Sequence, residues 1–362
     1  MTTALKDIYN QSFISLVAKS IHKVYPELDE ALFFHLVFNE TWEQKTLKER
    51  MRHITICLHK LLPADYAEAV GILKKVAPDL ANHELAAIIL PDYIEQYGLS
   101  DWEVSIPALE WFTQYSTAEF AVRPFIMKDQ ERMVKQMTEW SLHPNHRVRR
   151  LASEGIRPKL PWGMVLQNLR KDPTPIIPIL NNLKEDESLF VRKSVANNLN
   201  DISKDHPSVV LEIVTSWYGK HKHTDWIVKH ACRTLLKQGH PQALALFGFN
   251  QANSIHIHNF NIEKNKVKIG EDLYFSFQVT NKDEQPSTIR IEFVIDYVKA
   301  NGNRSKKVFK VAENKIAREK NLNYHKKISF KDLTTRKHYK GIHTISILIN
   351  GELKSSLDFE VE

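Results

Sequence analysis

Cysteine is nearly absent: Cys57 and Cys232 are the only two in 362 residues, and both sit inside apolar helical patterns. A disulfide framework and a cysteine-based zinc site are therefore unsupported, and a reducing compartment is expected. The chain has no GxGxxG, P-loop, HExxH, GxSxG or CxxC sequence. Dinucleotide-binding, nucleotide-hydrolysing, zincin and α/β-hydrolase readings lose their main support. No apolar run is long enough to cross a bilayer, and the opening MTTALKDIYNQS lacks a basic stretch followed by an apolar one. A cytoplasmic protein without membrane partners is expected. Histidine is plentiful at 17 residues, yet His221-Lys-His223 and His256-Ile-His258 are isolated pairs without a third ligand. Neither a metal nor a cofactor is expected.

What is present is the composition of a folded chain with room for two domains, 43% hydrophobic and 26% charged. The formal charge is +7, from 50 basic and 43 acidic side chains. It is unevenly placed: residues 251–362 hold 20 Lys/Arg against 14 Asp/Glu, and residues 1–250 hold 30 against 29. Within the longer part, Phe120 to Asp172 is a basic island with eleven basic side chains against five acidic ones.

Residues 1–250 carry helical periodicity. Leu47, Met51, Ile54, Leu58 and Leu61 fall on one face, and similar patterns cover 28–37, 66–76, 85–89, 126–142, 165–169, 176–183, 209–217 and 227–236. Breaks are expected at Pro63, Pro78, Pro91, Pro144, Pro173 and Pro207. Val148-Arg-Arg, Val191-Arg-Lys and Val228-Lys-His each open a helix, 43 and 37 residues apart. That spacing lies near the roughly 40–47 residues of HEAT and armadillo units. It predicts an all-α HEAT-like repeat solenoid with a concave binding face; an irregular helical domain is the alternative. After Phe249 the period becomes two, in Val267–Ile269, Leu273–Val279, Ile289–Ile295, Lys306–Val311, Lys326–Phe330, Ile342–Ile349 and Leu357–Val361. About seven strands over about 110 residues fit an immunoglobulin-like β-sandwich spanning 251–362, or a small barrel.

The segment Arg147-Val-Arg149-Arg150-Leu-Ala-Ser-Glu154-Gly-Ile-Arg157-Pro-Lys159-Leu-Pro-Trp162-Gly sets a carboxylate one turn from two arginines, stops a helix at Gly and Pro, and then presents a tryptophan. Read locally, Glu154 is an i, i+4 partner of Arg150 and Trp162 is a core plug. The run Ser-Glu-Gly-x-Arg-Pro-x-Leu-Pro-Trp also resembles the AlkC branch of the HEAT-like-repeat DNA alkylation repair glycosylases. That likeness extends from Ala118–Phe125 through Val191–Asp201 to Pro207, and the β-rich tail matches the family's form with an added immunoglobulin-like domain.

The resemblance implies a DNA-facing pocket containing Glu119, Glu154, Trp162 and Asp201. It implies hydrolysis of the N-glycosidic bond of cationic alkylated bases, 3-methyladenine or 3-methylcytosine, to leave an abasic site. Such a base already leaves readily, so the demand falls on carboxylates that stabilise oxocarbenium-like charge and prepare a water. Asp201 and Glu154 are expected beside the deoxyribose with Glu119 in support, and the Trp162 face against the sugar or the cationic base. Phosphate contacts are expected from Arg123, Arg147, Arg149, Arg150, Arg157, Lys159 and Arg192. Lys306 and Lys307 either clamp the duplex or keep a strand edge soluble. No lysine stands out as a Schiff-base nucleophile, so a monofunctional, monomeric enzyme acting on double-stranded DNA is expected. The alternative is a non-catalytic helical-repeat nucleic-acid binder or scaffold.

Overall fold

The protein is described by a computed structural model covering residues 4–333 and 336–362. The helices are α1 (Gln11–His22), α2 (Glu30–Val37), α3 (Leu47–Leu61), α4 (Tyr66–Val76), α5 (Ile89–Tyr97), α6 (Trp102–Phe112), α7 (Val122–Lys128) and α8 (Gln130–Trp140). They continue with α9 (His146–Glu154), α10 (Gln167–Lys171), α11 (Ile177–Leu183), α12 (Leu189–Ile202), α13 (Pro207–Trp217), α14 (Lys222–Ala231), α15 (Arg233–Lys237) and α16 (Pro241–Leu246). Among the described residues, no helix is long and apolar enough to cross a membrane.

The repeated tripeptides fall on α9, α12 and α14, and α12 packs between the other two. Each tripeptide begins with a fully buried valine, Val148, Val191 or Val228; the first two open their helices as expected, each as the third residue, but Val228 is the seventh residue of α14 and does not open it. Six helix starts follow side-chain capping: Asn10, Asp29, Asp65, Asp101, Asp129 and Asn145 each accept a backbone amide of the first turn. Asp129 also explains a correction. The apolar stripe from 126 to 142 suggests one helix, but Asp129 closes α7 and caps α8. One proline departs from expectation, since Pro91 lies in the first turn of α5, where its missing N–H costs nothing; Pro107, not among the expected breaks, lies inside α6.

Among the described residues eight strands follow: β1 (Ile255–Ile262), β2 (Lys266–Val267), β3 (Asp272–Asn281), β4 (Ser287–Val298), β5 (Arg304–Ile316), β6 (Asn321–Ser329), β7 (Gly341–Ile349) and β8 (Glu352–Val361). They form sheets in the orders β1-β3-β6 and β2-β8-β7-β4-β5, an immunoglobulin-like sandwich rather than a barrel. Phe275, Phe277, Phe293, Ile295, Ile345, Ile347 and Phe359 fill its core.

By contacts the chain separates into two compact units. One holds the residues up to His206 with Trp217–Ala231, and the other holds Pro207–Ser216 with Cys232–Glu362. The strand-bearing unit thus keeps α15 and α16. There Gly239 and Gly351, both at positive φ, meet so closely that a Cβ on Gly351 would lie 2.8 Å from the Gly239 Cα.

Candidate active site

Three consecutive stretches build the site in the helical unit. Pro144 and the Asn145 cap start α9, which ends at Glu154 because the next residue packs against α7 and α8. A Cβ on Gly155 would lie 2.6 Å from Val122 Cγ2 and 3.1 Å from Met137 Cε. Arg157, in the turn beyond, points back. Its Nη1 donates to Glu154 Oε1 at 2.6 Å, and its Nε donates to Asp201 Oδ2, on α12, at 2.8 Å. All three side chains are buried. Burial opposes the guanidinium charge, but Glu154 and Asp201 outweigh it and hold that charge more firmly than usual. Lys204 donates to the other Asp201 oxygen at 2.9 Å. Glu154 Oε2, by contrast, is buried without a hydrogen-bond partner.

Glu119 precedes α7. Thr117 Oγ1 donates to its Oε2 at 2.7 Å, and Arg150 Nη1 donates to the same oxygen. Arg150 also lies 3.6 Å from Glu154 Oε1, the expected i, i+4 pair. Two arginines therefore link three acids from three parts of the chain, Arg150 joining Glu119 to Glu154 and Arg157 joining Glu154 to Asp201.

Trp162 is no core plug, because 65% of it is exposed. Its φ is 64°, a left-handed conformation that costs a non-glycine residue roughly 1–2 kcal/mol. The turn is held from two sides. Arg123, fully buried, donates to the carbonyls of Met164 (2.6 Å), Gly155 (2.8 Å) and Arg157 (3.0 Å). Lys48 on α3 donates to the Trp162 carbonyl and lies 4.7 Å over the Phe120 ring.

Glu119, Glu154, Arg157 and Trp162 line one cavity of about 300 Å³. Asp201 does not line it and stands behind Arg157. Sequence reasoning missed the opposite wall, where Leu47, Met51, Leu85 and Ile88 accompany Tyr9 and Lys48. Burial, reinforced by Asp92, keeps the Tyr9 phenol protonated well above its usual range. These residues lie far from the signature in sequence and carry no local pattern.

The expected phosphate-binding residues fare unevenly. Arg123 is corrected: it is wholly enclosed and braces carbonyls, which leaves it no route to a phosphate. Arg147 pairs with Glu84 at 2.6 Å, Arg149 with Asp186 at 2.6 Å and Lys159 with Asp205 at 2.6 Å. Arg192 donates to the carbonyls of Asp186 and Glu187. Of the island's expected contacts, none is an unengaged surface cation. Lys306 and Lys307 on β5 are exposed and have no acidic partner among the described residues. Partial desolvation of its ammonium, together with nearby Arg336 and Lys237, makes Lys307 easier to deprotonate than an ordinary lysine.

Comparison with known proteins places the chain in a family. The family described as "DNA alkylation repair enzyme" matches residues 38–235, and the C-terminal immunoglobulin-like domain of the uncharacterised protein YhaZ matches residues 256–362. YhaZ of Bacillus subtilis (strain 168) is 54% identical over 357 residues, 99% of each chain. The structure of Pseudomonas fluorescens alkylpurine DNA glycosylase AlkC, bound to DNA containing an abasic site analog, superimposes with a TM-score of 0.96. That match has 38% identity and covers 99% of this chain and 100% of that one. By these matches over both of its parts, the chain belongs to the DNA alkylation repair enzyme family, in the AlkC-type form with a C-terminal immunoglobulin-like domain.

Proposed function

We propose that this protein is a monofunctional DNA glycosylase that releases cationic N-alkylated bases, such as 3-methyladenine and 3-methylcytosine, from duplex DNA. The observation that carries the reading is the unpartnered, buried Glu154 Oε2 in a cavity shared with Glu119 and Trp162. A carboxylate oxygen left without a donor in a low-dielectric wall suits a substrate that brings positive charge or a water with it.

In the reaction the bond from C1′ to the base nitrogen breaks, and its electron pair neutralises the cationic base. The sugar takes on positive charge, which Glu154 stabilises, while Asp201 holds Arg157 and through it the Glu154 carboxylate. A water oxygen then bonds to C1′ and its proton passes to the Glu154 carboxylate. Arg157 fixes Glu154 through Oε1 and leaves Oε2 for this role. Trp162 presents its face to the cationic base or sugar. Lys48 is the lysine of this cavity, and its ammonium is engaged by the Trp162 carbonyl. That engagement supports hydrolysis by water rather than by an amine.

The test is chromatographic separation of bases released from methylated duplex DNA by wild type, Glu154→Gln and Asp201→Asn. We expect release of the cationic bases to collapse in both variants while binding to DNA with an abasic-site analog persists. Absence of release by a folded, DNA-binding wild type sinks the enzyme reading and leaves the non-catalytic binder.

A further inference from the structure

A second cavity, of about 490 Å³, adjoins the first and shares Lys48, Met51, Phe120 and Trp162 with it. Its remaining lining includes Lys45, Glu49, Arg52 and Glu95. The acids there are already engaged. Glu49 accepts from the Thr46 amide and hydroxyl at 2.7 and 2.8 Å as the cap of α3, and Glu95 holds Arg52 at 2.9 Å, with Asp92 as the other partner of that arginine. Lys45 and Lys48 are different. Lys45 donates to the Thr41 hydroxyl and Lys48 to the Trp162 carbonyl, and neither has a carboxylate within ion-pair distance among the described residues.

Both lysines flank Thr46 at the amino end of α3, a helix of 15 residues. Positive side chains are disfavoured there, because the first-turn amides already concentrate positive charge. Glu49 already caps that pole, and Glu49 and Glu95 feel the charges of Lys45 and Lys48 without pairing with them directly, so Lys45, Lys48 and Arg52 leave the cavity lining with an excess of cations that an anion relieves. Its other wall is Trp162, Gly163 and Met164, the turn that borders the acidic cavity.

We infer that this second cavity is the seat of a phosphodiester of the damaged strand, next to the lesion nucleotide, held by Lys45 and Lys48. The inference rests on the glycosylase reading and refines it. The sugar of the lesion lies on the acidic side of the Trp162–Phe120 partition and its neighbouring phosphate on the basic side. The segment around Lys45 and Lys48, outside the basic island of the sequence, then supplies the backbone contact that the paired arginines do not.

The experiment measures binding of the full chain to a duplex with an abasic-site analog, which is chemically inert to the enzyme, across a range of salt concentrations. Each of Lys45→Gln and Lys48→Gln should weaken binding and make the slope of log K against log salt shallower by about 0.9, the value for one lost phosphate contact. Lys48→Arg should keep the slope, which separates loss of charge from disturbance of the Trp162 turn. A methylphosphonate scan around the analog should find one neutralised linkage that weakens wild-type binding and has no further effect in the Lys45→Gln/Lys48→Gln double variant. Unchanged slopes in folded variants, or a scan in which every linkage adds its loss to that of the double variant, would overturn the assignment. Because no base is released in these measurements, a failure here is distinct from a failure of the catalytic reading.

Discussion

At the scale of single residues, the site depends on side chains held in costly states. Trp162 keeps a left-handed backbone with its ring largely in solvent, so little burial energy repays the strain. Trp162→Gly removes that strain and adds glycine's extra unfolded-state entropy, and the two nearly cancel. Urea unfolding should therefore show a stability change within about 1 kcal/mol. Base release should nevertheless fall about two- to thirty-fold in kcat/KM, the equivalent of a cation–π contact of about 0.5–2 kcal/mol. A loss of several kcal/mol would instead make the indole a packing element. Glu154 and Trp162 were legible in the sequence because one short run carries both. The bond that aims Trp162 was not, since Lys48 lies 114 residues away. The fate of the arginines was equally hidden: their acidic partners Glu84, Asp186 and Glu119 are supplied by other elements, and a local count of charges registers only the excess.

Among the elements, the junction of α7, α8 and α9 sets the position of Glu154. Gly155 is needed there for space, since any Cβ would strike Val122 and the Leu151 carbonyl. Gly155→Ala should destabilise the protein by about 1–3 kcal/mol, the usual cost of overpacking a filled interior. The midpoint of chemical denaturation reads this, and an unchanged midpoint would show that α7 and α8 can yield. Helical periodicity gave α3 and α4 their observed bounds because their apolar stripes are regular and their caps lie at the expected places. It missed α6, whose internal proline looks like a break, and β1, whose alternating histidines hide an edge strand with half of its residues exposed. Strand periodicity worked best for β4 and β7 of the larger sheet, where alternate side chains enter a continuous core.

Over the whole molecule, charge and acidity divide between the two units. In the strand-bearing unit, His338 and His343 pack among Tyr297, Phe330 and Phe359, and burial pushes both below their usual value near 6.5. The unfolded chain binds protons at these sites before the folded one does, so their contribution is intact above about pH 6.5 and is lost as pH falls below it. Calorimetry between about pH 7.5 and pH 5 should show the unfolding temperature of this unit falling, and His343→Phe should flatten that slope. An equally steep slope in the variant would assign the acid sensitivity elsewhere. The helical unit carries a different consequence. Because Arg147, Arg149, Arg150, Arg157 and Lys159 are each paired with an acid of the same chain, these five cations keep little charge with which to grip undamaged DNA. On the proposed reading, such pairing favours short visits to undamaged sites and a longer dwell where a lesion brings its own positive charge to Glu154.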